Sequence, residues 1–378
     1  MKFLENISLA EYTTFRIGGK ARYFCVVKSE EDLREALDFA KGNETGHASI
    51  PFFVLGSGSN ILVSDEGFPG LVIKMEMMGV SFEKKDDGVF VTVSAGQDWD
   101  KLVIKTVGES LWGLENLSGI PGTVGAAPVQ NIGAYGAEAK DVIISVCAVD
   151  TTTSAARIFT NTECQFSYRE SFFKTTEGKK YVITNVTFKL SQNPKPNLSY
   201  RDLKEYFERR GREKRELMEH GSFLARKLPR LRRRRSSGVS INSLFSRPLS
   251  LSEIRKAVIE IRKRKFPELS KVGTAGSFWK NPIISPEHFA ELKAKYPNIP
   301  SFSFDNQVKV PLAWILDNVC KLKGYTKGPT GLWKNQPLVV IAEKGAFSSD
   351  IKSFAIKVAN IVKEKTDIDI EKEVQYIG

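Results

Sequence analysis

The sequence has few of the residues on which metal sites, disulfide frameworks and histidine-based catalysis depend. Its 378 residues include three histidines and four cysteines, with no C-x-x-C pair and no H-x-x-x-H spacing. A zinc site, a disulfide framework and a Ser-His-Asp triad therefore have little to be built from. We expect no metal, reduced thiols in a cytoplasmic protein and, if the protein is an enzyme, chemistry supplied by a bound cofactor.

Long apolar runs are also missing. No stretch approaches the roughly 18 consecutive apolar residues of a membrane-spanning helix, and the N-terminus carries charge from Lys2 onward without the apolar core of a signal peptide. Export and membrane insertion are not expected.

Length and composition indicate a globular protein of two or three domains, since 41% of the residues are hydrophobic and 26% are charged. The net charge of +12 is mostly local. Residues 207–247 hold thirteen Lys and Arg against four Glu, so a uniformly basic nucleic-acid binder is a poor description.

The hydrophobic periodicity alternates between strands and helices. Arg22 to Val27 is strand-like and precedes a helix capped by Ser29, and residues 141–190 are mostly β. A polar, proline-bearing stretch follows Leu190. Ser250 and Glu253 then form a capping-box pattern that begins a second, compact α/β unit. The pattern predicts the α+β class.

Two glycine-rich segments indicate a phosphate-containing ligand. Residues 56–60, GSGSN, follow an apolar strand, and residues 119–136 contain five glycines, three alanines and two prolines. Turns of this kind present successive N–H groups to an anion and allow close approach to the backbone. Neither segment is the G-x-G-x-x-G fingerprint or a P-loop. These segments are expected to bind a large, flat dinucleotide cofactor, and the alternative is that they are ordinary structural turns.

Six motifs in order resemble the UDP-N-acetylenolpyruvoylglucosamine reductase family, the FAD-containing reductases of bacterial peptidoglycan precursor synthesis. The motifs are TTFRIGG (13–19), LGSGSNIL (55–62), LSGIPGTVGAAPVQNIGAYG (117–136), YRESFFK (168–174), GTAGSFWKNP (273–282) and EKEVQYIG (371–378). The resemblance covers nearly the whole chain.

The resemblance implies an α+β fold in which a two-subdomain PCMH-type FAD-binding fold is followed by a separate α/β substrate-binding domain. The first FAD-binding subdomain would span residues 1–70, with 358–378 returning to it, and the second 71–200. A basic insertion, expected to be flexible, would occupy 207–247, and the substrate-binding domain 248–357. The expected form is a cytoplasmic monomer.

The resemblance also implies FAD as cofactor, NADPH as hydride donor and a UDP-sugar substrate whose enolpyruvyl group is reduced to give UDP-N-acetylmuramate. The catalytic residues would be Ser277 as proton donor, Arg169 and Glu373, and the substrate contacts Tyr168, Tyr200, Lys265 and Asn281. The FAD contacts would be Gly56, Ser57, Gly58, Ser59, Asn60, Gly119, Ile120, Pro121, Gly122, Thr123, Gly125, Gly133, Ala134 and Tyr135.

These residue types suit the implied chemistry. Hydride addition to an enol ether conjugated to a carboxylate builds negative charge on that carboxylate, which a fixed cation such as Arg169, at the end of a strand-like run, would stabilise. A serine hydroxyl can then protonate the α-carbon. The plainer alternatives are a surface salt bridge for Arg169, a helix cap for Ser277, a solvated carboxylate for Glu373 and a cation that offsets the helix dipole for Lys265.

Two other functions remain open at this point. One is another PCMH-type FAD oxidase or dehydrogenase that acts on a sugar or an alcohol. The other is a nucleic-acid-binding protein, which rests on the run Arg232 to Arg235 alone. The mechanism does not require the basic insertion, which we expect to be solvated, with binding to an anionic membrane, nucleic acid or an acidic partner as the alternative.

Overall fold

A computed structural model describes residues 1–42, 48–221 and 249–378, with the backbone alone for residues 214–221. The strands are Leu4–Ser8 (β1), Lys20–Val27 (β2), Phe52–Leu55 (β3), Ile61–Val63 (β4), Phe68–Met75 (β5), Val80–Lys85 (β6), Gly88–Ser94 (β7), Gly133–Ala134 (β8), Ala137–Glu138 (β9), Ile143–Asp150 (β10), Ala156–Thr160 (β11), Tyr181–Leu190 (β12), Ile283–Ile284 (β13), Phe302–Phe304 (β14), Gln307–Lys309 (β15), Thr326–Lys327 (β16), Thr330–Trp333 (β17), Gln336–Ala342 (β18) and Gln375–Ile377 (β19). The helices are Glu30–Lys41 (α1), Trp99–Gly108 (α2), Arg201–Gly221 (α3), Leu251–Lys265 (α4), Pro286–Lys295 (α5), Leu312–Trp314 (α6) and Ser348–Thr366 (α7).

The first sheet has the order β1-β2-β5-β3, with β2, β5 and β3 parallel. Helix α1 begins at the predicted cap, because the Ser29 hydroxyl accepts from the backbone N–H of Asp32, whose carboxylate accepts from the N–H of Ser29. The helix ends at Gly42, which has a left-handed conformation. β19 pairs in parallel with β4 in a separate two-stranded sheet, and Ile377 packs against apolar residues of the first sheet.

The second sheet is antiparallel, in the order β11-β10-β12-β7-β6. Alternate residues of β7 and β12 are buried, and they pack with α2 and α1 in one large apolar core that the first sheet shares. Residues from both sheets form this core, so the two sheets are fixed relative to each other.

The C-terminal region packs two three-stranded sheets, β13-β15-β14 and β16-β17-β18, with α5, α6 and α7 around a second core. Phe15 and Leu62 from the N-terminal part belong to the same core. The mixture of sheets and helices is the predicted α+β arrangement.

Helix α3 differs from the expectation of a flexible insertion from residue 207. The helix begins at Arg201 and continues to Gly221, because Leu203, Tyr206 and Phe207 are buried against Ile254 and Val258 of α4. The apolar positions lie in the first two turns, so the polar residues that follow extend a helix that is already anchored. The rest of the predicted insertion, residues 222–247, lies outside the described residues.

None of the helices that the structure describes combines the length and apolar composition needed to cross a bilayer.

Candidate active site

The two glycine-rich segments lie against each other. The hydroxyl of Ser59 donates a hydrogen bond of 2.9 Å to the carbonyl oxygen of Pro121. A Cβ on Gly56 would lie 2.6 Å from the hydroxyl oxygen of Thr123, so a larger residue would push the two loops apart. The segments expected to hold one ligand therefore form one surface.

This surface fits a phosphate-containing cofactor. Among the described residues, no hydrogen bond is donated by the backbone N–H groups of residues 57–60, which leaves four successive donors for a ligand. Beneath the turn, the Lys74 ammonium donates to the Gly56 carbonyl at 2.5 Å, and its burial lowers its pKa. A diphosphate would satisfy the free N–H groups and approach the half-buried Lys74.

Arg169 and Glu373, which are 204 positions apart in the sequence, form a largely buried ion pair. Arg169 Nε lies 3.0 Å from Glu373 Oε1, and Arg169 Nη2 donates to the Gly133 carbonyl at 2.9 Å. The Nε–H group is poorly aligned with Glu373, and this buried nitrogen has no hydrogen-bond acceptor in the described part of the chain. The guanidinium is thus fixed in place by the Glu373 carboxylate and the Gly133 carbonyl.

The electrostatics of Glu373 are those of a carboxyl in an enclosed site. Burial raises its pKa above the ordinary value, while Arg169, Lys280 and Lys174 act in the opposite direction. Burial is the largest of these influences, so the neutral acid is favoured more than at an exposed glutamate. This carboxyl can hold a proton that it shares with a bound carboxylate.

Ser277 is positioned by a strand-like turn beside the Glu373 segment. It pairs with Val339, and the next residue, Phe278, accepts a 2.9 Å hydrogen bond from the Glu373 backbone N–H. Gly276, just before it, has φ +74°, and a Cβ there would meet no atom within 4 Å. Ser277 itself is half-buried, it precedes the residue that bonds to the Glu373 backbone, and it does not cap a helix.

Arg169 itself lies in a tight turn, whereas the sequence places it at the end of a strand-like run. Ser167 and Glu170 pair across this turn, and Arg169 has a left-handed φ of +58°. Such a conformation is uncommon for a residue with a side chain and is typical of functional sites. The strand pattern could not predict it.

Two of the predicted substrate contacts meet in this region. The Tyr168 hydroxyl accepts from the Asn281 backbone N–H at 3.2 Å, and the Asn281 side-chain oxygen accepts from the Leu312 N–H at 3.0 Å. The Lys309 ammonium lies 4.5 Å from the centre of the Tyr168 ring. The sequence gives no signal for Lys309, which reaches the site through the pairing of β15 with β13.

The other two predicted contacts form a second cluster. The Lys265 ammonium binds Asp202 and lies 5.6 Å from the centre of the Tyr200 ring, which packs edge-on against Tyr135. Burial lowers the pKa of Lys265, but Tyr200 and Asp202 raise it, and the balance is a raised pKa. Gly133 and Tyr135 belong to one loop, so this loop joins the two clusters, because Gly133 contacts Arg169 and Tyr135 contacts Tyr200.

The remaining predicted cofactor contacts lie along the two loops. Gly119 donates to Asp100 and its carbonyl accepts from Arg262, while Gly125 donates to the Ala95 carbonyl. Asn60 donates to Gln130 Oε1 at 2.6 Å and to the Glu373 carbonyl at 3.2 Å. Ser57 donates to Ser59, Ile120 and Ala134 pack at the edge of the large core, and Gly58 and Gly122 have positive φ.

Sequence reasoning missed Lys280 and Gln130. Lys280 is buried and binds Glu170 and Glu371, the neighbours of the ion pair. Its position three residues after Ser277 is the one available sequence signal. The ion pair lies beside the backbone segment of Ser277, and a neighbouring pocket is lined by Tyr168, Glu170, Lys280 and Asn281 among others. A cation, a carboxyl of raised pKa and a hydroxyl are residue types that can bind an unsaturated acid and protonate it.

Comparisons with known proteins agree with this geometry. The model of an FAD binding domain matches residues 21–158, and that of the UDP-N-acetylenolpyruvoylglucosamine reductase C-terminal domain matches residues 267–377. The chain is similar to a UDP-N-acetylenolpyruvoylglucosamine reductase from Flavobacterium johnsoniae, at 36% identity over 380 residues covering 100% of both chains. A relative of the same name from Chromobacterium violaceum is 33% identical, covering 99% of this chain and 98% of its own.

A solved structure supports the fold. The crystal structure of UDP-N-acetylenolpyruvylglucosamine reductase from Thermus caldophilus matches with a TM-score of 0.61 at 22% identity, covering 100% of this chain and 98% of that one. With the FAD-domain match, this confirms the predicted flavin-binding fold followed by a C-terminal domain.

Proposed function

Because this chain belongs to the UDP-N-acetylenolpyruvoylglucosamine reductase family, we propose that Ser277, Arg169 and Glu373 carry out its reaction. The protein is an FAD-dependent oxidoreductase that reduces the enolpyruvyl group of UDP-N-acetyl-3-O-(1-carboxyvinyl)-glucosamine to UDP-N-acetylmuramate, a step of peptidoglycan synthesis. The observation that carries the proposal is the largely buried Arg169–Glu373 pair, because the Glu373 backbone N–H donates to the carbonyl of Phe278, the residue after Ser277.

The loops at 56–60 and 119–125, with 133–135 close by, would hold FAD. The backbone N–H groups of 57–60 suit its pyrophosphate, and the small residues of the second loop suit close contact with its ring system. A flavin held there would supply the transfer of hydride from NADPH to the β-carbon of the substrate. The choice of NADPH as donor is part of the proposal.

Arg169 binds and orients the substrate carboxylate. Its guanidinium is held by Glu373 and Gly133, so it meets the charge that develops on the carboxylate without reorganisation. Glu373, whose pKa is raised by burial, holds a proton at its carboxyl and donates a hydrogen bond to the same carboxylate. Ser277 Oγ donates its proton to the α-carbon and is re-protonated from solvent.

The remaining contacts concern the sugar nucleotide. Lys265 and Tyr200 offer a cation and a phenol to the diphosphate, while Tyr168 and Asn281 border the acid-binding end. The loop from Gly133 to Tyr135 extends from the Lys265–Tyr200 cluster to the acid-binding end. A substrate with an anion at each end requires such an extended site. We also propose that the protein is a monomer and that it acts in the cytoplasm, where its nucleotide substrates are available.

The alternative function of a sugar or alcohol oxidase is not favoured, because relatives that match the full chain carry the reductase name. For the nucleic-acid alternative, the arginine run from Arg232 to Arg235 lies outside the described residues and supports no proposal here.

Stopped-flow kinetics of Ser277→Ala tests the assignment. Purified protein should be yellow, and its flavin absorbance should bleach with NADPH and recover with the enolpyruvyl sugar nucleotide. In the variant we expect bleaching within about threefold of wild type and recovery slowed at least ~100-fold, since the variant lacks the proton donor. The control, Ser301→Ala, removes an exposed hydroxyl of the same domain and should change neither step. Equal loss in both half-reactions would contradict the role of Ser277.

A further inference from the structure

One buried cation links the three segments on which the proposed catalytic residues lie. Among the described lysines and arginines only Lys280 is buried, with 7% of its surface exposed. A buried ammonium is costly unless it is paired and hydrogen-bonded. Its partners therefore indicate what it does.

The Lys280 ammonium donates to two carboxylates from different segments. Nζ lies 2.5 Å from Glu170 Oε1 and 2.6 Å from Glu371 Oε1. Lys280 and Glu371 are also joined through their backbones, because the Lys280 N–H donates to the Glu371 carbonyl at 2.9 Å. Both partners are thus bound at the distances of charge-assisted hydrogen bonds.

The positions of these partners in the sequence show which segments the Lys280 ammonium joins. Glu170 is the residue after Arg169, Glu371 is two residues before Glu373, and Lys280 is three residues after Ser277. One nitrogen atom thus joins the turn with the guanidinium, the segment with the carboxyl and the turn with the hydroxyl. A second lysine, Lys174, holds Glu170 at 2.7 Å and contacts neither of the other two segments.

We propose that Lys280 is a positioning residue for the reduction: its ammonium fixes the turn of Arg169 and the segment of Glu373 against the turn of Ser277. This inference rests on the proposed function. Lys280 acts through Glu170 and Glu371 and does not contact the substrate. Its two carboxylate partners accept from two of the three N–H donors of the ammonium, and its contribution is the relative placement of three groups that must reach one acid.

Displacement of such groups by about 1 Å can cost on the order of 100-fold in rate. We therefore expect Lys280→Met, which keeps the length of the side chain and removes the charge, to slow flavin reoxidation by the enolpyruvyl substrate by ~100-fold. Flavin reduction by NADPH, which does not use the three groups together, should stay within about threefold. Lys280→Arg, which can bind two carboxylates, should recover a large part of the reoxidation rate.

Two further variants make the experiment decisive. Glu371→Gln keeps the shape of an exposed side chain and removes one charged partner, so it should fold and slow reoxidation about tenfold. The control is Lys363→Met, because Lys363 also bridges two carboxylates, Asp367 and Asp369, at 2.8 Å each, but at the surface. It should leave both half-reactions unchanged.

The outcomes separate the two proposals. Unchanged reoxidation in Lys280→Met, or an equal fall in both half-reactions, would overturn the positioning role. If Lys280→Met does not fold, normal reoxidation in Glu371→Gln would overturn it and selective slowing would support it. A wild-type protein whose reduced flavin is not reoxidised by the enolpyruvyl substrate would instead refute the proposed function, and the role of Lys280 with it.

Discussion

At the residue scale, the site depends on conformations that few residues adopt. Arg169 has a left-handed φ of +58° in the turn that aims its guanidinium at Glu373, and Gly58 has φ +64° in the cofactor turn. For a residue with a side chain this region costs about 1 kcal/mol or more. The strain at Arg169 is offset by the ion pair and by the hydrogen bond to Gly133.

Gly58 is the more demanding position, because a Cβ there would lie 2.0 Å from the Tyr12 carbonyl oxygen. We expect Gly58→Ala to displace the turn and weaken FAD binding at least tenfold. The measurement is the ratio of flavin to protein absorbance after gel filtration, with the melting temperature recorded in parallel.

The matched control for this substitution is Gly108→Ala. Gly108 ends helix α2, has no positive φ, and a Cβ there would meet nothing within 4 Å. It should stabilise the protein by about 0.5–1 kcal/mol and leave the flavin content unchanged. Normal flavin retention in Gly58→Ala would contradict the assignment of this turn.

The sequence identifies the residue types of the site better than their contacts. The resemblance names Arg169, Ser277 and Glu373, but no spacing rule indicates that Lys280 binds Glu170 and Glu371. That contact depends on three turns meeting in space, and a single sequence carries no signal for such a meeting. The same holds for Asn60, which joins Gln130 and the Glu373 carbonyl.

At the element scale, helix boundaries follow from local chemistry. The predicted caps Ser29 and Ser250 both accept from the backbone N–H three residues later. Helix α5 begins in the same way, because the Ser285 hydroxyl accepts from the backbone N–H of His288. Helix α3 continues into the segment expected to be flexible, because its apolar residues precede the basic stretch and their partner, α4, lies some fifty residues further along the chain.

Helix α7 is capped by a residue from a distant part of the chain. Its first two N–H groups, of Ser348 and Ser349, donate at 2.6 and 2.9 Å to the carboxylate of Asp65, 283 residues earlier. An anion at this end of a helix is favourable. Asp65 therefore ties the first sheet to the C-terminal region.

Replacement of this cap should measurably lower the stability of the protein. We expect Asp65→Ala to lower the free energy of unfolding by about 1 kcal/mol, since the carboxylate is exposed and screened by solvent. Burial raises the pKa of Asp65, but the hydrogen bonds from Ser349 and Ser348 together lower it by more. The net pKa is therefore below the ordinary value of 3.8. Its stabilising effect is present above pH 3.8 and is lost as the pH falls through the lower, folded value.

Urea unfolding of wild type, Asp65→Ala and Asp65→Asn between pH 3 and 7 checks this prediction. Asp65→Asn keeps an acceptor and should lose only the pH-dependent part. An equal stability difference between wild type and Asp65→Asn at every pH would contradict the charge argument.

At the scale of the whole molecule, three distant parts of the chain supply the residues of the proposed site. Arg169 comes from the second sheet's region, Ser277 from the C-terminal region, and Glu373 from a segment whose strand β19 lies beside β4. The class of fold follows from the alternation of helices and strands in the sequence. The meeting of these parts does not, because it is decided by the shared packing of the two cores.

Asn60 gives this arrangement a consequence for the cofactor-free protein. The side-chain amide of Asn60 donates to Gln130 of the second glycine-rich segment and to the Glu373 carbonyl, and the backbone carbonyl of Asn60 accepts from the Gln375 N–H at 3.1 Å. Loss of the ligand should therefore loosen residues 371–377. In hydrogen–deuterium exchange, these amides should exchange faster in apoprotein than in holoprotein, while those of α7 stay protected. Occupancy of the cofactor loops would then set the order of the catalytic carboxyl before any substrate arrives.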